Sequence, residues 1–249
     1  MALQFAISPE FSSSHLSQWF IFNNRLQHFL GEACHLELYD DFRALRGAVG
    51  AGCVDMIYAN AFDTSMVLRE KGFVPVARGA GKSDEALVAV VAESPVRKVA
   101  DFRQGLRVAA TDAPDVETIG RILLEPADLD ESNITLTHHR NYVLVAKALI
   151  NGEADAGFFL KESFEDLSEL VRGQLRPVIL SRICVVRHAL LLAPQHADRR
   201  ACLLAGLLAM REHQADRELC AELGFPEGWQ ALDQEEAAFM VDLMETLLP

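Results

Sequence analysis

The chain has 249 residues, half of them hydrophobic, and a formal net charge of −13 at pH 7. A chain of this length and apolar content can bury one large core or two smaller ones, so we expect a folded globular protein. The acidic balance argues against nucleic acid as a partner, because nucleic acid attracts basic patches. No apolar run approaches the roughly 18 residues that cross a bilayer, so we expect no membrane insertion.

The cysteines and the start of the chain restrict the chemistry further. The five cysteines contain no Cys-x-x-Cys pair, which indicates neither a disulfide framework nor a zinc site. We expect no metal and no other cofactor. The start of the chain lacks the charged and long apolar regions of a secretory signal, which places the chain as written in the cytoplasm, or in the periplasm if it is a trimmed mature form.

Short apolar runs alternate with helical patterns along most of the chain. The predicted strands cover residues 3–8, 35–39, 54–60, 73–78, 86–92, 107–111, 134–137 and 156–160, with two more runs between 177 and 193. The predicted helices between them cover residues 13–30, 41–49, 62–70, 116–124, 142–150 and 161–171. This alternation predicts parallel βα units. Helices alone are predicted at 196–223 and 233–248, on either side of a glycine-containing turn.

One phrase occurs twice, at residues 43–60 and 145–160. In each copy an alanine- and leucine-rich helix ends at a glycine, and an aspartate, Asp55 or Asp155, leads into a short apolar strand. Two similar α/β halves predict two lobes with a cleft between them, where small ligands usually bind.

A glycine-rich stretch at residues 78–84 marks the predicted boundary between the lobes. We therefore predict one lobe from residues 1–83 with 183–249 and an inserted lobe from residues 84–182. Two crossings between lobes form a natural hinge. The Gly-Ala-Gly-Lys-Ser sequence in this stretch lacks the glycine spacing of a phosphate-binding loop, so it does not predict a nucleotide site.

Three strand-to-helix turns are candidate anion sites, because N–H groups and the helix dipole at a helix start favour negative charge. They begin at Ser8, Asn60 and Thr111 and carry hydroxyl and amide side chains. The same residue types commonly cap helices without binding a ligand, and both interpretations stay open.

The order of these motifs resembles a known family. A strand, a Ser/Pro-rich turn and a helix with Trp19 come first, then the Gly-x-Val-Asp55 strand, the Asn-Gly-Glu-Ala-Asp-Ala-Gly segment at 151–157 and a closing Leu-Gly-Phe-Pro turn. Over most of the chain this is similar to the phosphate/phosphite/phosphonate-binding family of ABC-transporter substrate-binding proteins.

The resemblance implies an α/β, two-lobed fold of the type II periplasmic-binding-protein kind, with a ligand cleft between lobes joined by two hinge segments. It implies binding of a small anionic or zwitterionic ligand by lobe closure, without catalysis, and an ABC-transporter permease as partner. In that family a Ser-Thr-Ser-Gly turn at the start of a second-lobe helix holds the phosphonate group. The matching stretch here keeps Thr118 and Gly120 but includes Asp115 and Glu117. A carboxylate beside an oxyanion costs binding energy unless it points away or a cation intervenes.

Other ligand contacts of that family are replaced here. Its His-Asp pair corresponds to Tyr142 and its neighbour, with His139 and Asn141 just upstream. Arg182 and Arg187 flank an apolar run, and either offers a bidentate fork to a carboxylate or phosphate, or a surface salt bridge.

The candidate ligand-binding residues form one set, with Tyr58 and Phe158 as walls of the cleft. They are Ser8, Tyr58, Asn60, Thr64, Thr111, Thr118, His139, Asn141, Asp155 and Arg187. For Asp155, a structural role at the start of its strand is an equal alternative.

Two other functions are compatible with this fold. One is a cytoplasmic ligand sensor that reports to a signalling partner without a transporter. The other is an enzyme of the chorismate-dehydratase type, which shares the fold. The sequence contains no nucleophile elbow, no set of His, Asp and Glu residues at metal-ligand spacing and no motif of paired carboxylates. We therefore expect that the protein is not an enzyme.

Overall fold

The computed structural model describes residues 2–10 and 15–247, which fall into two compact units. The first unit contains the chain up to Ser83 together with Val185–Thr246. The second contains Asp84–Cys184 and Leu247. The chain therefore crosses from the first unit to the second after Ser83 and returns after Cys184. The predicted start of the first helix at Ser13 lies outside the described residues.

The strands and helices of the described residues are numbered in chain order. The strands are β1 (Leu3–Ile7), β2 (Cys34–Glu37), β3 (Met56–Ala59), β4 (Val74–Gly79), β5 (Ala86–Val91), β6 (Leu106–Thr111), β7 (Ile134–His139), β8 (Ala156–Leu160), β9 (Leu175–Leu180), β10 (Ala189–Leu192) and β11 (Trp229–Ala231). The helices are α1 (Leu16–Leu30), α2 (Phe42–Gly50), α3 (Ala61–Lys71), α4 (Pro114–Leu124), α5 (Tyr142–Ile150), α6 (Lys161–Glu165), α7 (Glu169–Arg172), α8 (Arg200–Ala209), α9 (Gln214–Glu222) and α10 (Gln234–Leu247). None of these helices is long and apolar enough to cross a membrane.

The first unit is built on a six-stranded sheet with the order β11-β4-β10-β3-β1-β2. One face carries α1 and α8, which contribute Trp19, Phe22 and Leu203 to a buried cluster that includes Trp229. The other face carries α2 and α3, with Leu45 as a buried contact. Each helix buries one apolar side against the sheet, which gives a three-layer α/β/α arrangement.

The second unit is built on a five-stranded sheet with the order β7-β6-β8-β5-β9. A Cβ on Gly120 of α4 would lie 2.6 Å from Phe158 of β8, so α4 packs closely on one face. A Cβ on Gly157 of the same strand would lie 3.0 Å from Val145 and Leu149, so α5 packs on the opposite face. Neighbouring residues of β8 therefore contact different helices, as the alternation of a strand requires.

The predicted parallel βα units are present, but each sheet also contains antiparallel strands. β1 with β2 and β3, and β6 with β7 and β8, are parallel. β5 runs antiparallel to β8 and β9, and β10 runs antiparallel to β3 and β4. Both β5 and β10 enter their sheets directly after a crossing between units, so no preceding helix in the same unit forces a parallel return.

Several predicted elements differ in extent from the structure. The helix predicted at 161–171 is divided into α6 and α7, because the Ser168 hydroxyl accepts a hydrogen bond from the Val171 N–H and starts a new helix. The helix predicted at 196–223 is divided into a 3-10 segment, α8 and α9. The three-residue strand β11, which the sequence analysis missed, exists through its pairing with β4.

Candidate functional site

The carboxyl edge of the first sheet brings together residues from three strands. Ser8 follows β1 and Asn60 follows the parallel strand β3, and the Asn60 N–H donates to Ser8 Oγ at 3.2 Å. Ala189 of the antiparallel β10 pairs with Ala59, which places His188 at the same edge. The side chains of Ser8, Asn60 and His188 are buried.

Asn60 caps α3 and keeps hydrogen-bond donors to spare. Its Oδ1 accepts from the Asp63 N–H at 2.9 Å. Its Nδ2 is buried and has no hydrogen-bond partner among the described residues. Thr64 differs, because its hydroxyl donates to the Ala59 carbonyl at 3.3 Å. A buried amide without a partner costs free energy, so Asn60 is a candidate for hydrogen bonding to a solute.

Two buried pairs of polar side chains lie beside this edge. Arg46 Nε donates to Asp63 Oδ1 at 2.6 Å, and the Asp63 side chain is 1% exposed. Burial raises the pKa of Asp63, and Arg46 acts in the opposite direction. His188 Nε2 lies 2.5 Å from Glu10 Oε1, and both side chains are 1% exposed. A charge buried in a protein requires a partner of this kind.

Neither of these pairs was predicted from the sequence. For the Glu10–His188 pair, the sequence offered two signals. Glu10 is a charged residue inside the Ser/Pro-rich turn, and His188 directly precedes the apolar strand β10. Neither residue has a spacing that predicts its partner, because the partners come from distant parts of the chain.

Two further predicted site residues of the first unit, Tyr58 and Arg187, make contacts within that unit. The Tyr58 ring is fully buried, 5.0 Å from the Trp19 ring and 5.2 Å from the His188 ring between centroids. Arg187 Nε donates to the Val185 carbonyl at 2.9 Å. The ring contacts place Tyr58 in the aromatic core beneath the edge. The Nε donor of Arg187 is used by the backbone.

The second sheet has its own carboxyl edge, where β6 ends at Thr111 and the parallel strand β7 ends at His139. Ala110 pairs with His138, and Thr111 pairs with His139. Paired residues of a parallel ladder point to the same face of the sheet, and the next pair points to the other face. Thr111 and His139 therefore share one face, and His138 lies on the opposite one.

The face with His138 is the α4 face, and it is acidic. His138 Nε2 lies 2.7 Å from Glu117 Oε2, and Arg121 Nη2 donates to Glu117 Oε1 at 2.6 Å. Asp115, in the first turn of α4, is buried. Thr118 stands one turn further along the helix and is also buried. Two carboxylates thus belong to the start of α4.

The face with Thr111 and His139 is the α5 face. Ala109 pairs with Gly157, which contacts α5, and Thr111 stands two residues after Ala109 on the same strand. The Thr111 side chain is 3% exposed, and its hydroxyl has no hydrogen-bond partner among the described residues. Asn141 caps α5 through its Oδ1, which accepts from the Leu144 N–H at 3.0 Å.

Asp155 lies just before the amino end of β8, away from Thr111 at the carboxyl end of β6. Its Oδ1 accepts from Arg107 Nη2 at 2.6 Å, and its Oδ2 accepts from the Arg107 backbone N–H at 3.1 Å. Because these bonds join β8 to β6, they favour the structural role of Asp155, which was the alternative to ligand binding.

No group of three or more histidine, cysteine, aspartate or glutamate side chains in the described part of the chain is arranged to hold a metal ion. The two carboxyl edges carry the Asn60 amide and the Thr111 hydroxyl, each with a buried polar atom that has no hydrogen-bond partner among the described residues. Such groups recognise a solute through hydrogen bonds.

Two α/β units joined by two crossings are the architecture of the type II periplasmic-binding-protein class. Residues 5–237 match the family described as the periplasmic substrate-binding protein of phosphonate ABC transporters. The chain therefore belongs to this phosphonate-binding family. The predicted family and fold class are confirmed, and so is the prediction of a solute-binding protein rather than an enzyme, because the family is a substrate-binding component.

Several solved structures share the fold. PhnD1 from Prochlorococcus marinus, in complex with methylphosphonate, has a TM-score of 0.83 at 11% identity, covering 99% of this chain and 98% of that one. A binding protein component of an ABC phosphonate transporter from Pseudomonas aeruginosa has a TM-score of 0.79 at 15% identity, covering 99% and 87%. The alkanesulfonate-binding protein SsuA from Xanthomonas axonopodis pv. citri, bound to MOPS, has a TM-score of 0.69 at 17% identity, covering 100% and 94%. No curated protein sequence matches the chain.

Proposed function

We propose that this protein binds a small anionic or zwitterionic solute and delivers it to the membrane permease of an ABC transporter. The observation that carries the proposal is the Asn60 amide, whose Nδ2 is buried at the carboxyl edge of the first sheet without a partner among the described residues. A solute oxygen bound there would accept the hydrogen bonds from Asn60 Nδ2 for which the described residues provide no acceptor.

The proposed contacts are side chains that keep polar atoms available at the two carboxyl edges. They are Asn60 in the first unit and Thr111, His139 and Asn141 in the second, with Arg187 as a charge partner. Ser8 and Thr64 are proposed to shape the first edge, since their hydroxyls already bond to the backbone. Tyr58 is proposed to support that edge from below.

Phosphorus and sulfur oxyanions are the first candidates for the solute. The similar structure from Prochlorococcus marinus is in complex with methylphosphonate, and the similar SsuA is bound to MOPS, a sulfonate. The phosphonate group and the sulfonate group each present several oxygens that accept hydrogen bonds from amides and hydroxyls.

A binding screen tests the proposal. The purified protein would be titrated with methylphosphonate, inorganic phosphate, methanesulfonate, a carboxylate and an amino acid, by calorimetry and by thermal shift. A solute at 100 times its Kd stabilises the folded state by about 2.7 kcal/mol, which raises Tm by several degrees. If none of these anions or zwitterions binds, the proposed solute class is wrong.

Asn60→Ser tests the carrying observation, because serine keeps the cap of α3 and lacks the amide donors. We expect Kd to rise by about 10-fold or more, since a hydrogen bond to a charged group contributes about 1.5–3 kcal/mol. Asn24→Ser, on the exposed side of α1, is the matched control and should leave Kd unchanged. Equal affinity for Asn60→Ser and the wild type would remove Asn60 from the site.

We further propose a periplasmic location, in keeping with the description of the family. The test is fractionation of cells that express the native gene at its natural level. Recovery in the periplasmic fraction supports delivery to a permease. Recovery in the cytoplasm only would favour the sensor function instead.

A further inference from the structure

We infer that the second unit binds the oxyanion of the solute at the start of α5, on the Thr111 side of the sheet, and not at the start of α4. This inference rests on the proposed function. It assigns the negative group of the solute to one of two helix starts that lie at the same sheet edge but on opposite faces.

The start of α4 is unfavourable for an oxyanion. Asp115 is buried in its first turn, and the Glu117 carboxylate stands beside it, held by His138 and Arg121. A buried carboxylate already occupies the field of the helix dipole, so a second negative group there meets repulsion. The neighbouring His138 ring and Arg121 guanidinium both have Glu117 as their partner.

The start of α5 has the opposite character. The first N–H groups of a helix lack partners within the helix, and the Val143 N–H is one of them here. His139 faces this side of the sheet, and the exposed Arg140 follows it in the chain. An anion at this position would meet N–H donors and positive charge.

Thr111 is the independent observation that points to a ligand at this place. Its hydroxyl is buried on the α5 face and has no partner among the described residues, although a buried hydroxyl is normally hydrogen-bonded. Its strand partner is His139, two residues before the Asn141 cap of α5. The hydroxyl therefore lies on the α5 face of the sheet, at the edge where α5 begins, and can donate to an oxygen bound there.

Four threonine variants test the assignment with methylphosphonate, inorganic phosphate and methanesulfonate as probes. Thr111→Val replaces the hydroxyl by a methyl group and should raise Kd at least 10-fold for each probe that the wild type binds. Thr111→Ser keeps the hydroxyl and should bind within about threefold of the wild type. Thr137→Val, on the same face but exposed, is the matched control and should leave Kd within twofold.

Folding is controlled in the same experiment. Since the Thr111 hydroxyl has no partner, Thr111→Val should have a Tm at least equal to that of the ligand-free wild type. Thr118→Val removes the corresponding hydroxyl near the start of α4 and should weaken binding less than Thr111→Val does.

The outcomes separate the two proposals. If the wild type binds none of the three probes, the proposed function fails for oxyanions and the inference falls with it. If the wild type binds and Thr111→Val binds equally well, only the inference is overturned. A 10-fold loss in Thr118→Val with wild-type affinity in Thr111→Val would place the oxyanion at α4.

Discussion

Asp55 and Asp155 make the same two backbone hydrogen bonds in the two units. Asp55 donates its N–H to the Gln4 carbonyl and accepts the Gln4 N–H on Oδ2, both at 2.9 Å. Asp155 does the same with Arg107, at 2.8 and 3.1 Å. The repeated phrase therefore encodes a connection between adjacent parallel strands at their amino ends, and this explains why its aspartate recurs.

The first prediction concerns Asp155→Ala. We expect the solute affinity to stay within twofold of the wild type, because Asp155 lies at the amino end of β8. We expect the free energy of unfolding to fall by about 1 kcal/mol, since the pair with Arg107 is half exposed. Urea denaturation and calorimetric titration measure the two quantities. Glu153→Ala, which removes an exposed neighbouring carboxylate, is the control. A large loss of affinity in Asp155→Ala would return this residue to the ligand site.

The pH dependence of the same pair has a definite sign. Hydrogen bonds from the Arg107 side chain hold the pKa of Asp155 below its usual value. The stabilisation is therefore present above the unfolded pKa of about 3.9 and is lost as pH falls through the lower pKa of the folded state. Between pH 6 and pH 3 the wild type should lose more stability than Asp155→Ala. Parallel loss in the two proteins would show that the pair contributes nothing.

The second prediction concerns Arg46→Leu, which leaves the buried Asp63 carboxylate without its cation. Removing one partner of a buried pair costs about 3–5 kcal/mol at neutral pH. Because burial already raises the pKa of Asp63, protonation relieves the unpaired charge as pH falls. We expect the stability difference from the wild type to be largest near pH 8 and to narrow toward pH 5.

The control for this prediction is Arg43→Leu, which removes an exposed arginine from the same helix. Its effect on the free energy of unfolding should stay within about 0.5 kcal/mol. A pH-independent difference for Arg46→Leu would mean that packing against Phe42 and Phe62, above which the guanidinium lies, matters more than the charge.

The third prediction concerns Gly120, where a Cβ would lie 2.6 Å from the Phe158 ring. Gly120→Ala should destabilise the protein by about 1–3 kcal/mol, because the ring and α4 must move apart. Gly47→Ala, inside α2 with nothing within 4 Å of the added Cβ, should instead stabilise it by about 0.5–1 kcal/mol. Thermal melts of both variants measure the contrast, and the same sign in both would contradict the close packing of α4.

The fourth prediction concerns thiol reactivity. Burial raises the pKa of the Cys34 thiol to about 12 and that of Cys220 to about 11, so neither forms a thiolate at pH 8. Cys53 and Cys202 are exposed. Labelling of the native protein at pH 8, read by peptide mass spectrometry, should modify Cys53 and Cys202 within minutes and leave Cys34 and Cys220 intact until the protein is denatured.

Local patterns predicted many of the elements well. The strand at 156–160 and the helix at 142–150 have the predicted bounds, because the apolar run and the glycine after the helix are signals within a few neighbouring residues. The antiparallel course of β5 and β10 could not be predicted in this way. It depends on which strand each one meets after the chain has crossed between the units.

The candidate site shows the same division between local and distant information. The turns at Asn60 and Thr111 were predicted, since amide and hydroxyl residues after a strand are visible in the sequence. Their neighbours were not. The Glu10–His188 pair joins the turn after β1 to the residue before β10, and only the pairing of β10 with β3 brings them together.

The sequence by itself determined the family, the α/β alternation and the solute-binding class, because motif order and periodicity are properties of neighbouring residues. Only the tertiary structure decided that Asp155 joins two strands and that Thr111 faces α5 while His138 faces α4. The reason is physical: which face of a sheet a side chain occupies depends on strand register, and register is fixed by packing between distant segments.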